Sequence, residues 1–311
     1  MKTEITNREG IPVIRAENEQ LAFEIAPLLG GRIISIYHKK LEKEFLWHNK
    51  GLGLAQNEPG ADYDSNFWGG IDELLPNDIP ETVDSIAYPD HGELWTAALS
   101  HEITHGEISV EGTLPLSRIY YRKTLSLHVN KPEIEVRYKI RNDSGARRHF
   151  LWKLHAAVRI QEGDRLLSKA KTASIVSAGS SRFKSMDEFS WPEIEGTDAS
   201  LVPAKDGTMD FFYLYDNPEA SMQMLSAGGR HVFACQYDQE VFPYQWYFAS
   251  YGQFNDHYTA ILEPASAMPV SVNDAQKLGQ CTVLEPGEEI DTTVKIYAGP
   301  VDDLHLNPEH L

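Results

Sequence analysis

The 311-residue sequence has only two cysteines, Cys235 and Cys281. Two thiols in a chain of this length do not make the disulfide framework of a secreted scaffold. No run approaches the ~20 apolar residues that a membrane helix needs, and the first residues, MKTEITNREGIPV, contain no apolar signal core. We therefore expect a soluble, cytoplasmic protein with free thiols and no membrane partner.

Basic residues are also scarce, because 28 Lys and Arg face 46 Asp and Glu, which gives a formal net charge of −18. Proteins that bind nucleic acid generally present basic patches, so nucleic acid is not an expected partner. The sequence contains no P-loop, no complete dinucleotide fingerprint and no Gly-x-Ser-x-Gly segment. It therefore gives no indication of a nucleotide cofactor or of a serine hydrolase.

Hydrophobic residues make up 41% of the chain and alternate with polar ones at a period of two. In residues 133–141, EIEVRYKIR, every second side chain is apolar, which is typical of a half-buried strand. A similar run covers residues 119–129, interrupted by Lys123, and the turn-forming residues 130–132 separate the two, so we predict a hairpin. Further strand-like runs recur at short spacing: residues 21–36, 150–160, 211–215 and 292–297. This pattern predicts an all-β chain, a large antiparallel sandwich or barrel, organised as one domain over residues 1–311.

The least regular region is residues 58–89, which is rich in Gly, Pro, Asp and Asn. It contains NFWGGIDE (66–73) and leads into DHGELW (90–95). Aromatic rings and carboxylates in one loop suit sugar binding, because rings pack against sugar C–H groups and carboxylates accept hydrogen bonds from hydroxyls. The same residues would also fit a surface loop held by two core tryptophans, and the local sequence does not separate the two.

Residues 101–105 read HEITH, the spacing of a zinc protease motif. That chemistry needs a helix, which stacks the two His about 6 Å apart. Here Gly106 follows at once and β-branched residues surround the motif, which favours a strand. In a strand the two rings would lie about 13 Å apart, too far to share one zinc ion, so we expect no metal site.

Two polar residues stand inside apolar runs. His155 lies within FLWKLHAAV (150–158), and Glu263 ends the apolar part of YTAILEP (258–264). A histidine in an apolar strand must find a partner or stay neutral, and a carboxylate is almost never buried alone. His155 is therefore either a satisfied core residue or a functional one, and Glu263 lies either at a sheet rim or in a pocket.

Taken in order, eight segments resemble the galactose mutarotase-like superfamily, which includes aldose 1-epimerases and hexose-6-phosphate mutarotases. They are GGRIISI, GGIDELLPN, DHGELW, FLWKLHAAV, MDFFYLYD, FPYQWYF, AILEP and LEPGEEIDTTVKIYAG, and they run from about residue 21 to 299. The resemblance implies a large antiparallel β-supersandwich, which agrees with the period of two.

The resemblance also implies roles for individual residues. Glu263 matches the family's catalytic base and His155 its general acid, while His91 and Asp210 match residues that bind the sugar. The family needs no metal or cofactor. This chain departs at residues 68–71, where Trp68 and Ile71 flank the glycine pair in place of the family's arginine. A phosphorylated substrate and strict galactose specificity are therefore not expected.

The sequence thus predicts an isomerase of the aldose 1-epimerase type that interconverts the α and β anomers of a sugar, as a monomer or homodimer. Glu263 would take the proton of the anomeric hydroxyl and His155 would protonate the ring oxygen. Alternatives are a non-enzymatic carbohydrate-binding protein, or a glycoside hydrolase or lyase that pairs Glu263 with Asp72 or Glu73. Besides His91 and Asp210, the residues predicted to contact the sugar are Asn66, Trp68, Trp95 and Trp246.

Overall fold

The computed structural model describes residues 1–303, so residues 304–311 of the predicted domain lie outside the described residues. Strands account for most of the regular structure: β1 (Lys2–Arg8), β2 (Ile11–Glu17), β3 (Leu21–Ala26), β4 (Arg32–His38), β5 (Lys43–Glu44), β6 (Ile71–Leu74), β7 (Glu81–Val83), β8 (Ile86–Tyr88), β9 (Ser100–Thr104), β10 (Glu107–Thr113), β11 (Ile119–Leu127), β12 (Glu133–Asn142), β13 (Arg148–Phe150), β14 (Lys153–Arg159), β15 (Arg165–Ser168), β16 (Thr172–Ile175), β17 (Phe189–Ser190), β18 (Glu193–Ile194), β19 (Thr197–Asp198), β20 (Thr208–Tyr215), β21 (Ser221–Leu225), β22 (His231–Gln236), β23 (Tyr244–Tyr251), β24 (Tyr258–Ala265), β25 (Thr282–Leu284) and β26 (Glu289–Pro300).

Helical structure is sparse in residues 1–303. One α-helix, α1 (Val272–Leu278), begins after Ser271, whose side chain accepts a hydrogen bond from the Asp274 amide, and ends at Gly279. Single 3₁₀ turns occupy Pro27–Leu29, Asp64–Asn66, Leu94–Thr96 and Val301–Asp303. None of these helices has the length or the apolar character needed to cross a bilayer.

Two large antiparallel sheets form the body of the molecule, which confirms the predicted all-β class. The larger sheet runs β1-β2-β3-β4-β6-β14-β24-β23-β20-β16-β17, with β5 added beside β4. The smaller sheet runs β15-β21-β22-β26-β12-β11-β10-β9. The predicted hairpin is β11 and β12, paired from Ile119 opposite Asn142 to Leu127 opposite Ile134. Residues 101–104 of the HEITH segment are strand rather than helix, with His101 of β9 opposite Val110, and His105 lies in the turn that follows.

The hydrophobic core lies between the two sheets. Alternate residues of β12, beginning with Ile134 and Val136, are completely buried there, as the period of two predicts. They meet side chains of the larger sheet such as Phe23, Ile71 and Leu262 in one continuous cluster. Burial of each such side chain contributes about 1.5–3 kcal/mol to stability, so this interface is the main source of the fold's stability.

A buried ion pair crosses this core. Lys123 of β11, the residue that interrupts the apolar alternation, places Nζ 2.7 Å from Oε1 of Glu73 on β6 and donates to the Gly31 carbonyl at 3.1 Å. Tyr138 of β12 donates its hydroxyl to the same Glu73 oxygen at 2.6 Å. The two charged side chains are fully buried. Lys123 is therefore a core residue whose charge Glu73 and the Gly31 carbonyl satisfy.

Candidate functional site

The central strands of the larger sheet carry polar side chains on the face opposite the core. On β14, Leu154 and Ala156 pack between the sheets, so Lys153 and His155 project from the other face. On the neighbouring β24, Leu262 lies in the core, and Glu263 projects to the same outer face. Alternation along adjacent strands thus brings together residues that are far apart in the sequence.

Three of the four residues to which the resemblance assigns roles, Glu263, His155 and His91, line one pocket of about 190 Å³. The pocket combines charged groups with an apolar wall made largely of phenylalanines. Its lining comprises Tyr63, Asp64, Phe67, Asp78, His91, Lys153, His155, Phe211, Phe248, Phe254, Ile261 and Glu263. The volume is below the roughly 300–1,000 Å³ typical of pockets for drug-sized ligands, so it suits one small ring.

His155 is held through one ring nitrogen. Its Nδ1 lies 3.2 Å from Oδ1 of Asp72 and 3.1 Å from the Tyr63 hydroxyl, which donates to Oδ2 of Asp72 at 3.0 Å. Arg32 donates to that same Oδ2 at 2.9 Å. Burial raises the pKa of Asp72. The charges of Arg32 and His155, with the hydrogen bonds from His155 and Tyr63, outweigh burial and hold the pKa of Asp72 well below its usual range. Asp72 is therefore an ionised acceptor that orients the imidazole and leaves Nε2 for chemistry.

Glu263 is paired with a lysine that the sequence reasoning did not single out. Lys153 Nζ lies 2.6 Å from Oε2 of Glu263 and 2.7 Å from Oδ1 of Asp78, over the ring of Trp246 at 4.3 Å. Burial lowers the pKa of Lys153, but the charges of Asp78 and Glu263 overcome that effect and raise it. Lys153 is therefore a buried ammonium shared by two carboxylates.

His91 closes the same charged cluster. Its Nδ1 lies 2.9 Å from Asp90 and its Nε2 lies 3.8 Å from Oδ1 of Asp78. The imidazole stacks on Tyr63 with 4.0 Å between ring centroids and 10° between planes. Burial lowers the pKa of His91, but the charge of Asp78 and the hydrogen bond to Asp90 raise it above its ordinary value. The imidazolium form is thereby favoured in the pocket.

Gly92 fixes the position of His91. Its φ is +77°, and a Cβ there would lie 2.2 Å from the Leu75 carbonyl oxygen, which accepts from the Glu93 amide at 2.9 Å. Gly106 has a similar φ, +92°, but open space around it.

We expect Gly106→Ala to lower the free energy of unfolding by about 1–2 kcal/mol, the cost of left-handed backbone for an L-residue. Gly92→Ala should lower it further, because its methyl group also overlaps the Leu75 carbonyl. Urea denaturation of both variants measures the difference. Equal effects would show that the close approach at Gly92 contributes nothing.

Asp210, by contrast, does not line the pocket. On β20, Phe211 projects toward it, while Phe212 packs in the core. Asp210 is two residues from Phe212 on the strand, so its side chain projects to the same, core side of the sheet. There Arg182 Nε lies 2.9 Å from Oδ2 of Asp210. Burial raises its pKa to about 6 although the Arg182 charge opposes the shift. β20 contributes Phe211 to the pocket lining, but the position of Asp210 gives no support to its predicted contact with the sugar.

The predicted tryptophan contacts and the Asn66 contact also lie outside the pocket lining. Trp246 is completely buried beneath Lys153, and Trp95 is buried edge-on against Tyr63. Trp68 packs in a separate cluster and lies 4.4 Å from the His48 ring. Asn66 donates to the Asp62 carbonyl at 2.7 Å. The structure therefore fits core packing of these three tryptophans rather than contact with a sugar. Phenylalanines form the aromatic wall of the pocket.

An arginine reaches the glycine pair from a neighbouring strand. Arg32 belongs to the Gly-Gly-Arg-Ile segment at 30–33, and Ile33 of β4 pairs with Ile71 of β6. A Cβ on Gly70 would lie 3.5 Å from Cγ of Arg32 and only 2.6 Å from the Ile33 carbonyl oxygen. Arg32 therefore lies beside the glycine pair and donates to Oδ2 of Asp72, but it is not among the residues that line the pocket.

Other residues of the site also escaped the sequence reasoning. The sequence did indicate Lys153, because it is two residues from His155 on β14 and so projects from the same face of the sheet. Asp78 and Tyr63 lie in irregular segments, where no periodicity indicates which way a side chain projects. Over residues 1–303 no group of three or more His, Cys, Asp or Glu side chains is arranged to hold a metal ion.

Solved structures of similar shape come from several bacteria, whereas no protein-family model and no curated protein sequence matches this chain. A proposed aldose 1-epimerase from Klebsiella pneumoniae superposes with a TM-score of 0.73 at 13% identity, covering 94% of this chain and 81% of that one. A galactose mutarotase-like protein from Clostridium acetobutylicum gives 0.72 at 14%, covering 96% and 99%. A proposed aldose 1-epimerase from Escherichia coli K12 gives 0.71 at 12%, covering 96% and 100%. At these identities the likeness concerns shape, and it confirms that the chain has the galactose mutarotase-like fold.

Proposed function

We propose that the protein is an isomerase of the aldose 1-epimerase type that interconverts the anomers of a sugar. The observation that carries this proposal is that Glu263 and His155 line one pocket of about 190 Å³. They come from adjacent strands, and no hydrogen bond joins them among the contacts of residues 1–303. A base and an acid on one small pocket are what ring opening and closure require.

The reaction would proceed by two proton transfers. The free oxygen of Glu263, Oε1, takes the proton of the anomeric hydroxyl as the C1–O bond becomes a carbonyl. Nε2 of protonated His155 gives a proton to the ring oxygen as the ring bond to C1 breaks. Rotation about C1–C2 then presents the other carbonyl face, and both transfers reverse. Each positioned group contributes about 10²–10⁴-fold.

The position of Glu73 argues against a carboxylate pair for glycoside hydrolysis. Glu73 projects into the core and pairs with Lys123. Asp72 is on the pocket side but is bound by Arg32 and Tyr63 behind His155. Neither Asp72 nor Glu73 is therefore placed as a free carboxylate that could form a hydrolytic pair with Glu263. A non-enzymatic sugar-binding protein would use the same pocket, and activity separates it from the isomerase.

Polarimetry of freshly dissolved α-anomers tests the proposal directly. The panel should contain neutral hexoses and pentoses, one amino sugar and one sugar phosphate, each with native protein and with protein denatured by heat. We expect native protein to speed the approach to equilibrium for at least one neutral sugar. Binding of a sugar without any acceleration would support the binding protein, and release of a reducing sugar from an oligosaccharide would support the hydrolase.

A further inference from the structure

Four side chains of alternating charge form a chain that ends at Glu263. His91 Nε2 lies 3.8 Å from Asp78, Asp78 lies 2.7 Å from Lys153, and Lys153 lies 2.6 Å from Oε2 of Glu263. The Asp78, Lys153 and Glu263 side chains are at most 8% exposed. Solvent therefore screens these charges little, and each strongly influences the next.

A base needs an ionised oxygen that is free to accept a proton. Transfer of a carboxylate out of water disfavours its charged form, so a buried Glu263 needs a compensating charge. Lys153 supplies that charge, with Nζ 2.6 Å from Oε2. Because the same ammonium also faces Asp78, its attraction is divided between two carboxylates. Glu263 therefore has a buried counter-charge for which Asp78 competes.

We propose that Lys153, held by Asp78, is a positioning residue that keeps Glu263 ionised and directs Oε1 into the pocket. The role of Glu263 as a base rests on the proposed function, whereas the electrostatic coupling between Lys153 and Glu263 does not. Nothing in the local sequence of Glu263 indicates this partner, because Lys153 reaches it from the adjacent strand β14.

Other titratable groups also face this site and belong in any account of its pH dependence. His155 projects from β14 beside Lys153, and Tyr213 of β20 interacts electrostatically with Glu263. The irregular segments contribute further groups, and the Arg32–Asp72 pair lies behind His155. Those from the segments are Tyr63, Asp64, Asp78 and His91. A single substitution could therefore act indirectly, so the test uses two substitutions with opposite expected effects.

Carbon-13 NMR of the glutamate carboxyl groups measures the protonation of Glu263 without relying on activity. The resonance is assigned by its loss in Glu263→Gln. Lys153→Met should move the titration midpoint of Glu263 to higher pH by roughly 1–3 units, the usual effect of removing an adjacent opposite charge. Asp78→Asn should move it to lower pH, because Lys153 then serves Glu263 alone and a like charge is gone. Lys153→Arg should stay closer to the native midpoint than Lys153→Met does.

The acidic limb of the kcat/KM profile for anomer exchange should shift in the same directions. Circular dichroism establishes that each variant is folded, and Asp78→Asn and Lys153→Arg keep the test available if Lys153→Met does not fold. An unmoved midpoint in a folded variant, or shifts of the same sign for Lys153→Met and Asp78→Asn, would overturn the proposal. If native protein exchanges no anomers but the midpoints move as expected, the proposed function fails and the charge coupling stands.

Discussion

Replacement of Glu263 by Gln is expected to slow anomer exchange by about 10²–10⁴-fold, the contribution of one positioned proton-transfer group. The amide keeps the shape of the carboxylate but cannot accept the proton of the anomeric hydroxyl. Sugar affinity should change little, because the rest of the pocket lining is untouched. Exchange rates from NMR and affinities from calorimetry separate the two effects.

A matched control is Glu289→Gln, which removes an exposed carboxylate that pairs with Lys139 on the smaller sheet. It should exchange anomers at the native rate. His155→Asn should lose activity as Glu263→Gln does, because it removes the proposed general acid. Native activity in Glu263→Gln would rule out this residue as the base.

Replacement of Lys123 by Met is expected to lower the free energy of unfolding by about 3–5 kcal/mol, the cost of leaving one member of a buried pair without its partner. Glu73 would remain fully buried with only neutral tyrosine hydroxyls near it, those of Tyr138, 2.6 Å from Oε1, and Tyr121. Urea denaturation followed by circular dichroism measures the loss.

Two companion variants show whether the unpaired charge is the cause. Lys123→Met combined with Glu73→Gln should recover much of the lost stability, because no buried charge remains. Lys139→Met, on the adjacent strand, breaks only exposed ion pairs and should change stability little. If the double variant were no more stable than Lys123→Met, lost packing rather than an unpaired charge would explain the effect.

The alternation of apolar residues was sufficient to predict the all-β class and the β11–β12 hairpin. This information is local, because each strand buries one side of its own sequence and a short turn determines its partner. Ile134, Val136, Tyr138 and Ile140 are buried as that pattern requires. The order of strands within the two sheets depends on contacts between residues far apart in the sequence. Only the resemblance to a known fold could predict that order.

Periodicity shows which residues share a face but not which face bears a pocket. Asp210 and Phe211 are neighbours on β20, and either parity could have projected toward the site. The larger sheet packs on both faces at its centre, so hydrophobicity does not distinguish them. For the same reason the tryptophans predicted to contact the sugar could be core residues or ligand contacts, and Trp246 is completely buried.

The sequence around the lysines inside apolar strands also does not indicate which residues pair with them. Lys123 and Lys153 both interrupt strand-like runs, yet their partners come from other strands or loops. Such partners are fixed only when the sheets assemble. Arg32 illustrates the same limit, because it stands beside Gly70 through the pairing of β4 with β6 rather than through the sequence around residues 68–71.

We propose that Glu263 and His155 exchange sugar anomers in one pocket. Two-dimensional exchange NMR of an equilibrated neutral sugar tests it most directly, because cross-peaks between the α and β anomeric protons report exchange without any net reaction. We expect protein-dependent cross-peaks with native protein and their loss with Glu263→Gln, which is the result that this mechanism requires. Cross-peaks of native intensity with Glu263→Gln, or none with native protein for any sugar of the panel, would contradict it.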